Sequence, residues 1–253
     1  MNLSQEIIQG DRTALAKGIT LIESTLPNDK IKAQELLKSC LHKSGNSIRI
    51  GITGVPGVGK STFIETFGLL LTNKGHKVAV LAIDPSSERT HGSILGDKSR
   101  MNKLATNNNA FIRPSPSSGT LGGVTDKTRE SIILCEAAGF DIILIETVGV
   151  GQSETTVKNL VDFFLLLMLA GAGDELQGIK RGIMEIADAL VITKDDGDNM
   201  QNSKKAELEY KRALHLFPGS ENGWICQVST CSAIKDTGIK SILETIYKFD
   251  NQM

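Results

Sequence analysis

The segment from Gly54 to Ser61 has the sequence GVPGVGKS, which fits the pattern G-x-x-x-x-G-K-[ST]. It follows a β-branched run at 48–53 and precedes a stretch of helical periodicity near 61–74. The glycines allow successive backbone N–H groups to point inward around a phosphate, and the helix N-terminus adds a positive dipole end. The sequence therefore predicts a phosphate-binding loop in which Lys60 reaches the β- and γ-phosphates and the Ser61 hydroxyl binds Mg²⁺.

Short β-branched runs alternate with longer helical stretches along most of the chain. Near-continuous apolar strands separated by helices are typical of a parallel sheet that is covered on both faces. We therefore predict an α/β fold of the P-loop NTPase type, with a mainly parallel sheet flanked by helices. Ligands of such sheets bind beyond the carboxyl ends of the strands. The predicted strands are 48–53, 78–83, 110–112, 142–145, 164–169, 189–193 and 225–228, and the predicted helices lie near 61–74, 124–139, 177–188, 202–216 and 239–249.

The first 45 residues show helical periodicity and no comparable β-branched run. We predict a short N-terminal helical segment over 1–45 and a phosphate-loop domain over 46–253. The four cysteines are scattered without a C-x-x-C pair, which indicates buried thiols rather than disulfides or a zinc site.

Composition limits the partners and the location. The formal net charge of −1 predicts neither a nucleic-acid partner nor a membrane partner. The longest apolar run, 163–170, is far shorter than the roughly 20 residues of a membrane-spanning helix, and we interpret it as a buried strand. The N-terminus lacks a basic segment followed by an apolar one, so we predict no secretory signal and expect a cytoplasmic location.

A second phosphate-site element is predicted where the strand 142–145 runs into Glu146, three residues before Gly149. The carboxylate would hold Mg²⁺, and the Gly149 amide would contact the γ-phosphate. Taken alone, the pattern also suits a glutamate at the solvated end of a strand. The phosphate loop earlier in the chain favours the metal-binding interpretation.

The third element concerns the base. The strand 189–193 ends in Thr193-Lys194-Asp195-Asp196, which is close to the N-K-x-D pattern that recognises guanine. The Asp196 carboxylate can accept hydrogen bonds from guanine N1–H and the 2-amino group, neither of which adenine offers, and the Lys194 stem can cover the ring. Thr193 replaces the asparagine and loses an amide that could brace the loops around the base, although Rho-type small GTPases have a similar T-K-x-D. An acidic surface loop is the alternative interpretation.

A fourth element follows the last predicted strand. The run Ser232-Ala233-Ile234 is similar to the Ser-Ala loop whose backbone contacts guanine O6 in GTPases. A Ser-Ala pair alone carries little information, but with Asp196 it favours GTP and GDP as the ligands.

The chain as a whole resembles the methylmalonyl-CoA mutase-associated GTPases, the MeaB family, which is also labelled ArgK or LAO/AO transport system ATPase. The resemblance runs from about residue 10 to 247. It depends on long blocks of similar sequence at 54–62, 84–87, 92–98, 113–119, 146–154 and 171–180.

The resemblance implies a Mg²⁺-dependent GTPase of the signal-recognition/MinD class. It further implies that the GTPase is a chaperone for an adenosylcobalamin-dependent acyl-CoA mutase. In this role the GTPase gates cofactor loading and protects the mutase. Three switch segments are implied at 84–97, 146–158 and 169–181, the third of which faces the mutase.

The same resemblance assigns roles to individual residues. Catalytic roles fall to Lys60, Asp84, Asp97 and Glu146, and the metal ligands are Ser61, Asp84, Asp97 and Glu146. The nucleotide-binding residues are Gly54, Val55, Pro56, Gly57, Val58, Gly59, Lys60, Ser61, Thr62, Gly149, Thr193, Lys194, Asp196, Ser232, Ala233 and Ile234. The switch and partner-facing residues are Gln152, Asp174, Glu175, Gln177 and Lys180.

Two departures from the family pattern matter. Thr193 stands where the family has asparagine, which predicts reduced guanine affinity. Family members also carry a C-terminal helical extension that builds their homodimer, whereas this chain ends at Met253, and this weakens the expectation of a homodimer.

Two further functions stay open. One is an ATP-using kinase of an amino-acid (Lys/Arg/Orn) transport system, against which the Lys194–Asp196 pair counts. The other is a nickel-type metallochaperone GTPase, against which the lack of a Cys- or His-rich segment counts.

Overall fold

The computed structural model describes residues 2–84, 101–116, 121–147, 153–171, 181–215 and 223–253, with the backbone alone at 83–84, 115–116, 121–125, 153–154, 156 and 181. The strands in these residues are β1 (Ile48–Gly54), β2 (Val78–Asp84), β3 (Ala110–Pro116), β4 (Ile142–Thr147), β5 (Phe163–Leu169), β6 (Ala189–Thr193) and β7 (Gln227–Thr230). They form one parallel sheet in the order β3-β2-β4-β1-β5-β6-β7. All seven predicted strands are therefore present, which confirms the α/β fold class.

Helices cover both faces of the sheet. The residues predicted to be helical before 46 form three helices, and the helix predicted at 177–188 is described from residue 181 onward. Two short helices, Asn102–Ala105 and Ser153–Lys158, were not predicted. The helices are α1 (Leu3–Ile8), α2 (Arg12–Glu23), α3 (Pro27–Cys40), α4 (Lys60–Asn73), α5 (Asn102–Ala105), α6 (Leu121–Ala137), α7 (Ser153–Lys158), α8 (Arg181–Ile186), α9 (Met200–Leu214) and α10 (Ile239–Gln252).

Both faces of the central strands are buried because successive side chains of a strand point to opposite faces, and here both sets are apolar. In β4, Ile143 and Ile145 pack into one hydrophobic cluster, whereas Ile142 and Leu144 pack into the other. The first cluster includes residues of α1–α3, α6, α8 and α9, and the second includes residues of α4, α5 and α10. The N-terminal helices therefore share a core with the sheet.

The apolar run at 163–170 forms the buried strand β5, as predicted. Across the part of the chain that the structure describes, no helix combines the length and apolar character needed to cross a bilayer. All four cysteines are free thiols: Cys40, Cys135 and Cys231 are buried and Cys226 is half-buried. Burial raises the pKa of the Cys231 thiol to about 12, and the neighbouring Asp195 charge adds to the shift, so this thiol stays protonated at neutral pH.

Glu136, near the end of α6, holds the segment that enters β1. Its carboxylate accepts hydrogen bonds from Gly45 N (2.7 Å), Ser47 Oγ (2.6 Å) and the Arg49 guanidinium (Nε 3.0 Å, Nη2 2.8 Å). The Glu136 side chain is only 2% exposed, and a carboxylate buried to this degree is tolerated only when its oxygen atoms are paired. The contact fixes where the chain enters β1, the strand that leads to the phosphate loop.

We expect Glu136→Gln to lower the free energy of unfolding by about 2–4 kcal/mol, because the amide removes the negative charge and one of the two acceptor oxygens. Chemical denaturation measures this quantity. Glu209→Gln is the control: Glu209 is 60% exposed and lies 3.9 Å from Lys205 on the surface of α9, so its loss should cost less than about 0.5 kcal/mol. Equal losses for the two variants would contradict the structural role of Glu136.

Candidate nucleotide site

The loop 54–61 leaves the sheet at its central strand, β1, and enters α4. At the end of β1, a Cβ atom on Gly54 would lie 2.4 Å from the Leu167 carbonyl oxygen of β5, so this position requires glycine. Gly57 and Gly59 have φ angles of 79° and 95°, in the left-handed region that other residues rarely adopt. The predicted loop therefore has the backbone conformation that its glycines suggested.

The N-terminus of α4 supplies the second part of a phosphate site. Gly59 is the residue before the helix, which then continues for 14 residues from Lys60. A Cβ atom on Gly57 or Gly59 would meet nothing within 4 Å, so open space faces the loop at both positions. Unpaired N–H groups and the helix dipole at such a terminus attract anions, which fits a phosphate group.

The Lys60 ammonium group lies against this loop. Its Nζ donates to the carbonyl oxygen of Gly54 at 2.7 Å and is within 3.3 Å of the carbonyl oxygen of Val55. The positive charge is therefore held beside the start of the loop, close to where a polyphosphate would bind.

Ser61 and Glu146 lie close together at the carboxyl-terminal edge of the sheet, where β4 ends. The Ser61 hydroxyl donates to Glu146 Oε1 at 3.4 Å, and Glu146 is 7% exposed. A hydroxyl and a carboxylate are oxygen ligands of the kind that Mg²⁺ prefers, so the donor set fits this ion. The structure thus brings together two of the four predicted metal ligands.

The two aspartates of the predicted metal set are less completely described. Asp84 ends β2, and its backbone lies at the same edge as Glu146, which is opposite Ala82 in the sheet. The Asp84 side chain and the whole of Asp97 lie outside the description. Among the side chains that are described, no three His, Cys, Asp or Glu residues lie close enough to hold a metal.

A buried pair of hydroxyl groups joins the strands on which the site is built. Thr147 Oγ1 donates to Thr53 Oγ1 at 2.8 Å, and the two residues are 0% and 1% exposed. Thr53 directly precedes the phosphate loop and Thr147 directly follows Glu146. Sequence reasoning missed this pair, although both residues are polar and lie in the last two positions of neighbouring apolar strands.

The two predicted base-binding elements lie side by side. The Ser232 hydroxyl donates to Asp196 Oδ2, and the Cys231 carbonyl oxygen accepts from Asp195 N at 3.0 Å. Lys194 has a φ angle of 58°, an uncommon left-handed conformation for a residue with a side chain. Ala233 is half-buried and Ile234 is 77% exposed at the tip of the second element.

Thr193 braces the phosphate loop, although it lacks the amide of asparagine. Its hydroxyl lies 2.7 Å from the carbonyl oxygen of Val58 and 3.2 Å from that of Met168, and the residue is 5% exposed. The hydroxyl therefore reaches the phosphate loop itself, a contact that the comparison with asparagine did not predict. The effect of Thr193 on guanine affinity stays a prediction.

Several predicted residues lie outside the described part of the chain. They are Asp97 of the metal set, Gly149 of the phosphate site, and the switch or partner-facing residues Gln152, Asp174, Glu175, Gln177 and Lys180. Of the remaining nucleotide-binding residues, Pro56 lies in the loop and Thr62 is an exposed residue in the first turn of α4.

The sequence model of one protein family, described as methylmalonyl-CoA mutase-associated GTPase MeaB, matches residues 15–253. The chain belongs to the MeaB family. This membership confirms the resemblance drawn from the sequence blocks.

Named relatives agree with this assignment. The chain is 55% identical to a probable GTPase of Mycobacterium tuberculosis, over 96% of this chain and 73% of that protein. It is 53% identical to GTPase ArgK of Escherichia coli, over 95% of this chain and 73% of that protein. It is 50% identical to the mitochondrial methylmalonic aciduria type A homolog of Mus musculus, over 98% of this chain and 62% of that protein.

Solved structures agree with the fold. A crystal structure of a LAO/AO transport system kinase superposes with a TM-score of 0.85 at 44% identity, and the match covers 99% of this chain and 74% of that one. The nickel-bound HypB of Helicobacter pylori superposes with a TM-score of 0.55 at 17% identity, covering 87% of this chain and 95% of that one, so it shares the fold alone.

Membership of the MeaB family, together with the P-loop fold, identifies the chain as a GTP hydrolase that binds guanine nucleotides. The loop 54–61 is the part of the described structure suited to hold the phosphates of such a nucleotide.

We expect Thr193→Val to weaken GDP binding about three- to tenfold, because the Val58 and Met168 carbonyl groups lose a buried donor and the loop loses its brace. Thr193→Ser keeps the hydroxyl and should stay within about twofold of the natural protein, since only a methyl group is removed. Isothermal titration calorimetry with GDP and Mg²⁺ measures both. Equal affinity in the valine variant would show that the brace does not act on the nucleotide.

Proposed function

We propose that this MeaB-family GTPase uses Mg²⁺ and acts as a chaperone for an adenosylcobalamin-dependent acyl-CoA mutase. The observation that carries the proposal is the match of the family model over residues 15–253, because its description names association with methylmalonyl-CoA mutase. The name of the mouse relative refers to methylmalonic aciduria, and so to the same methylmalonyl group. The chaperone would gate cofactor loading and protect the mutase.

The proposed division of labour among the site residues follows from their chemistry. Lys60 and the loop amides would hold the β- and γ-phosphates, while Ser61, Asp84, Asp97 and Glu146 would hold Mg²⁺. When bound, Mg²⁺ neutralises charge that develops on the phosphate oxygens. Asp196, Ser232, Ala233 and Ile234 would recognise guanine.

The proposed switch segments are 84–97, 146–158 and 169–181. Phosphoryl transfer depends on positioning of the reacting groups and on neutralisation of their charge. A GTPase that lacks an arginine side chain positioned at the phosphates typically hydrolyses GTP about 10³- to 10⁵-fold more slowly. We propose slow intrinsic turnover that accelerates when the mutase orders these segments. Gln152, Asp174, Glu175, Gln177 and Lys180 would contribute to the mutase-facing surface.

The base assignment is tested with Asp196→Asn, which replaces an acceptor for guanine N1–H and N2 by an amide that can donate to the 2-oxo group of xanthine. The Ser232 hydroxyl donates to Asp196 Oδ2, and the amide oxygen of asparagine can take over this acceptor role. We expect kcat/KM for GTP to fall about 100-fold, since two hydrogen bonds to a charged group are lost. We expect kcat/KM for XTP to rise by a similar factor. Asp198→Asn, an exposed neighbour, is the matched control and should leave both substrates unchanged. An unchanged GTP preference in Asp196→Asn would place the base elsewhere.

The phosphate assignment is tested with Lys60→Ala, which should lower single-turnover GTP hydrolysis at least about 100-fold because no other charge in the described loop replaces the ammonium group. Lys74→Ala, at the exposed far end of the same helix, is the control and should retain the natural rate. Hydrolysis that persists in Lys60→Ala would mean that the activity comes from another site or a contaminant.

The chaperone role is tested with a purified adenosylcobalamin-dependent acyl-CoA mutase. The complex should form with different affinity in GDP and in a non-hydrolysable GTP analogue, and the mutase should lose activity more slowly during turnover when the GTPase and GTP are present. Lys60→Ala should bind the mutase without this GTP-dependent protection. Absence of binding in every nucleotide state would refute the chaperone role and leave the GTPase intact.

One comparison favours a second function. The superposed structure with a TM-score of 0.85 is named a LAO/AO transport system kinase, which would require transfer of a phosphoryl group to a protein acceptor. Competition between ATP and GTP, followed by a search for labelled acceptor protein with γ-³²P nucleotide, separates the two functions. The nickel alternative is supported only by likeness of fold at 17% identity.

A further inference from the structure

Thr66 lies in the middle of α4, the helix that follows the phosphate loop, and it reaches the base-binding element rather than the phosphates. Its hydroxyl donates to the carbonyl oxygen of Ala233 at 3.0 Å, across 167 residues of sequence. Thr66 is half-buried, and nothing in the sequence pattern singled it out. The contact links α4, which begins at the phosphate loop, with the loop 232–234.

This contact differs from the usual behaviour of hydroxyl side chains in helices. A helical serine or threonine commonly donates to the carbonyl group four residues earlier in its own helix. Thr20, Ser39, Ser131 and Thr245 of this chain do so, at 2.8–3.0 Å. Thr66 donates to Ala233 instead, so its hydroxyl serves a tertiary contact.

Hydrogen bonds join the two ends of the loop that Thr66 contacts. Ser232 and Thr237 exchange backbone hydrogen bonds of 3.0 and 3.1 Å, and Lys235 N donates to Ser232 Oγ at 3.2 Å. Gly238 closes the turn with a φ angle of 77°, where a Cβ atom would lie 2.3 Å from the Thr230 carbonyl oxygen. The bond from Thr66 therefore acts on the more exposed tip of the loop, at Ala233.

Holding the Ala233 carbonyl group also fixes the amide that follows it. The peptide unit is planar and trans, so the C=O of Ala233 and the N–H of Ile234 point to opposite sides. With the carbonyl oxygen turned toward α4, the Ile234 N–H points away from that helix. A donor with a fixed direction can recognise an acceptor on a ligand without loss of loop entropy on binding.

We infer that Thr66 is a positioning residue for base recognition, which orients the 233–234 peptide so that its N–H is offered to the exocyclic oxygen of a 6-oxopurine. Adenine carries an amino group at that position and cannot accept such a bond. The inference rests on the proposed placement of guanine between Asp196 and 232–234. It adds a residue outside that pocket which determines how well the pocket distinguishes its base.

The test compares Thr66→Val, which keeps the shape but removes the donor, with Thr66→Ser, which keeps the hydroxyl. Affinities are measured by competition for GDP, for IDP, which keeps O6 but lacks the 2-amino group, and for 2-aminopurine riboside diphosphate. The last ligand lacks O6 and also the N1–H group, so each variant is compared with the natural protein on the same ligand. Thr66→Val should weaken GDP and IDP equally, by about three- to tenfold, and should leave the 2-aminopurine nucleotide within about twofold. Thr66→Ser should restore the affinities for GDP and IDP.

Two further variants separate the possible failures. Thr245→Val removes a helix hydroxyl of the ordinary kind and should change no affinity, with thermal denaturation confirming that every variant is folded. If Thr66→Val weakens all three ligands equally, or none of them, the positioning role of Thr66 is wrong while the base pocket stands. If Asp196→Asn also leaves the ratio of GDP to IDP affinity unchanged, the base binds elsewhere and both assignments fail.

Discussion

The close approach of β5 to the end of β1 is the constraint on which the nucleotide site depends. Gly54 is the last residue of β1, and only a residue without a Cβ atom can lie this close to the Leu167 carbonyl group. The next carbonyl group along β5, that of Met168, accepts from the Thr193 hydroxyl, which also reaches Val58 in the phosphate loop. The carboxyl end of β5 therefore contacts both the phosphate loop and the proposed base-binding segment.

Much of this architecture could be predicted because it depends on local sequence. The buried strands are apolar on both faces, and the phosphate loop is one continuous segment with its own glycines. The start of β7 was predicted two residues too early, at Ile225. β7 is an edge strand, so its bounds depend on its pairing with β6, and this pairing begins at Gln227 of β7. Ile225 itself is 66% exposed, and the helices α5 and α7 are too short to show a helical period.

The contacts that join the parts of the site could not be predicted in the same way. The hydroxyl groups of Thr193, Thr66 and Thr147 reach partners that are 135, 167 and 94 residues away in the sequence. A threonine in a strand or helix carries no signal that separates such a contact from an ordinary local one. Sequence reasoning treated Thr193 as a loss relative to asparagine, because it could not show that the shorter side chain lies beside the loop.

These three contacts are neutral, whereas the groups proposed to meet the nucleotide, Lys60, Glu146 and Asp196, are charged. A hydroxyl-to-carbonyl bond changes little in strength when one more phosphate charge arrives nearby, but an ammonium or carboxylate responds strongly. The framework that aligns the phosphate loop with the proposed base-binding loop should therefore be the same with GDP and with GTP. The groups that respond to the γ-phosphate are then the charged side chains and the proposed switch segments that follow β2, β4 and β5. A partner that distinguishes GDP from GTP requires this arrangement, in which the nucleotide is bound in one fixed position while a separate surface changes conformation.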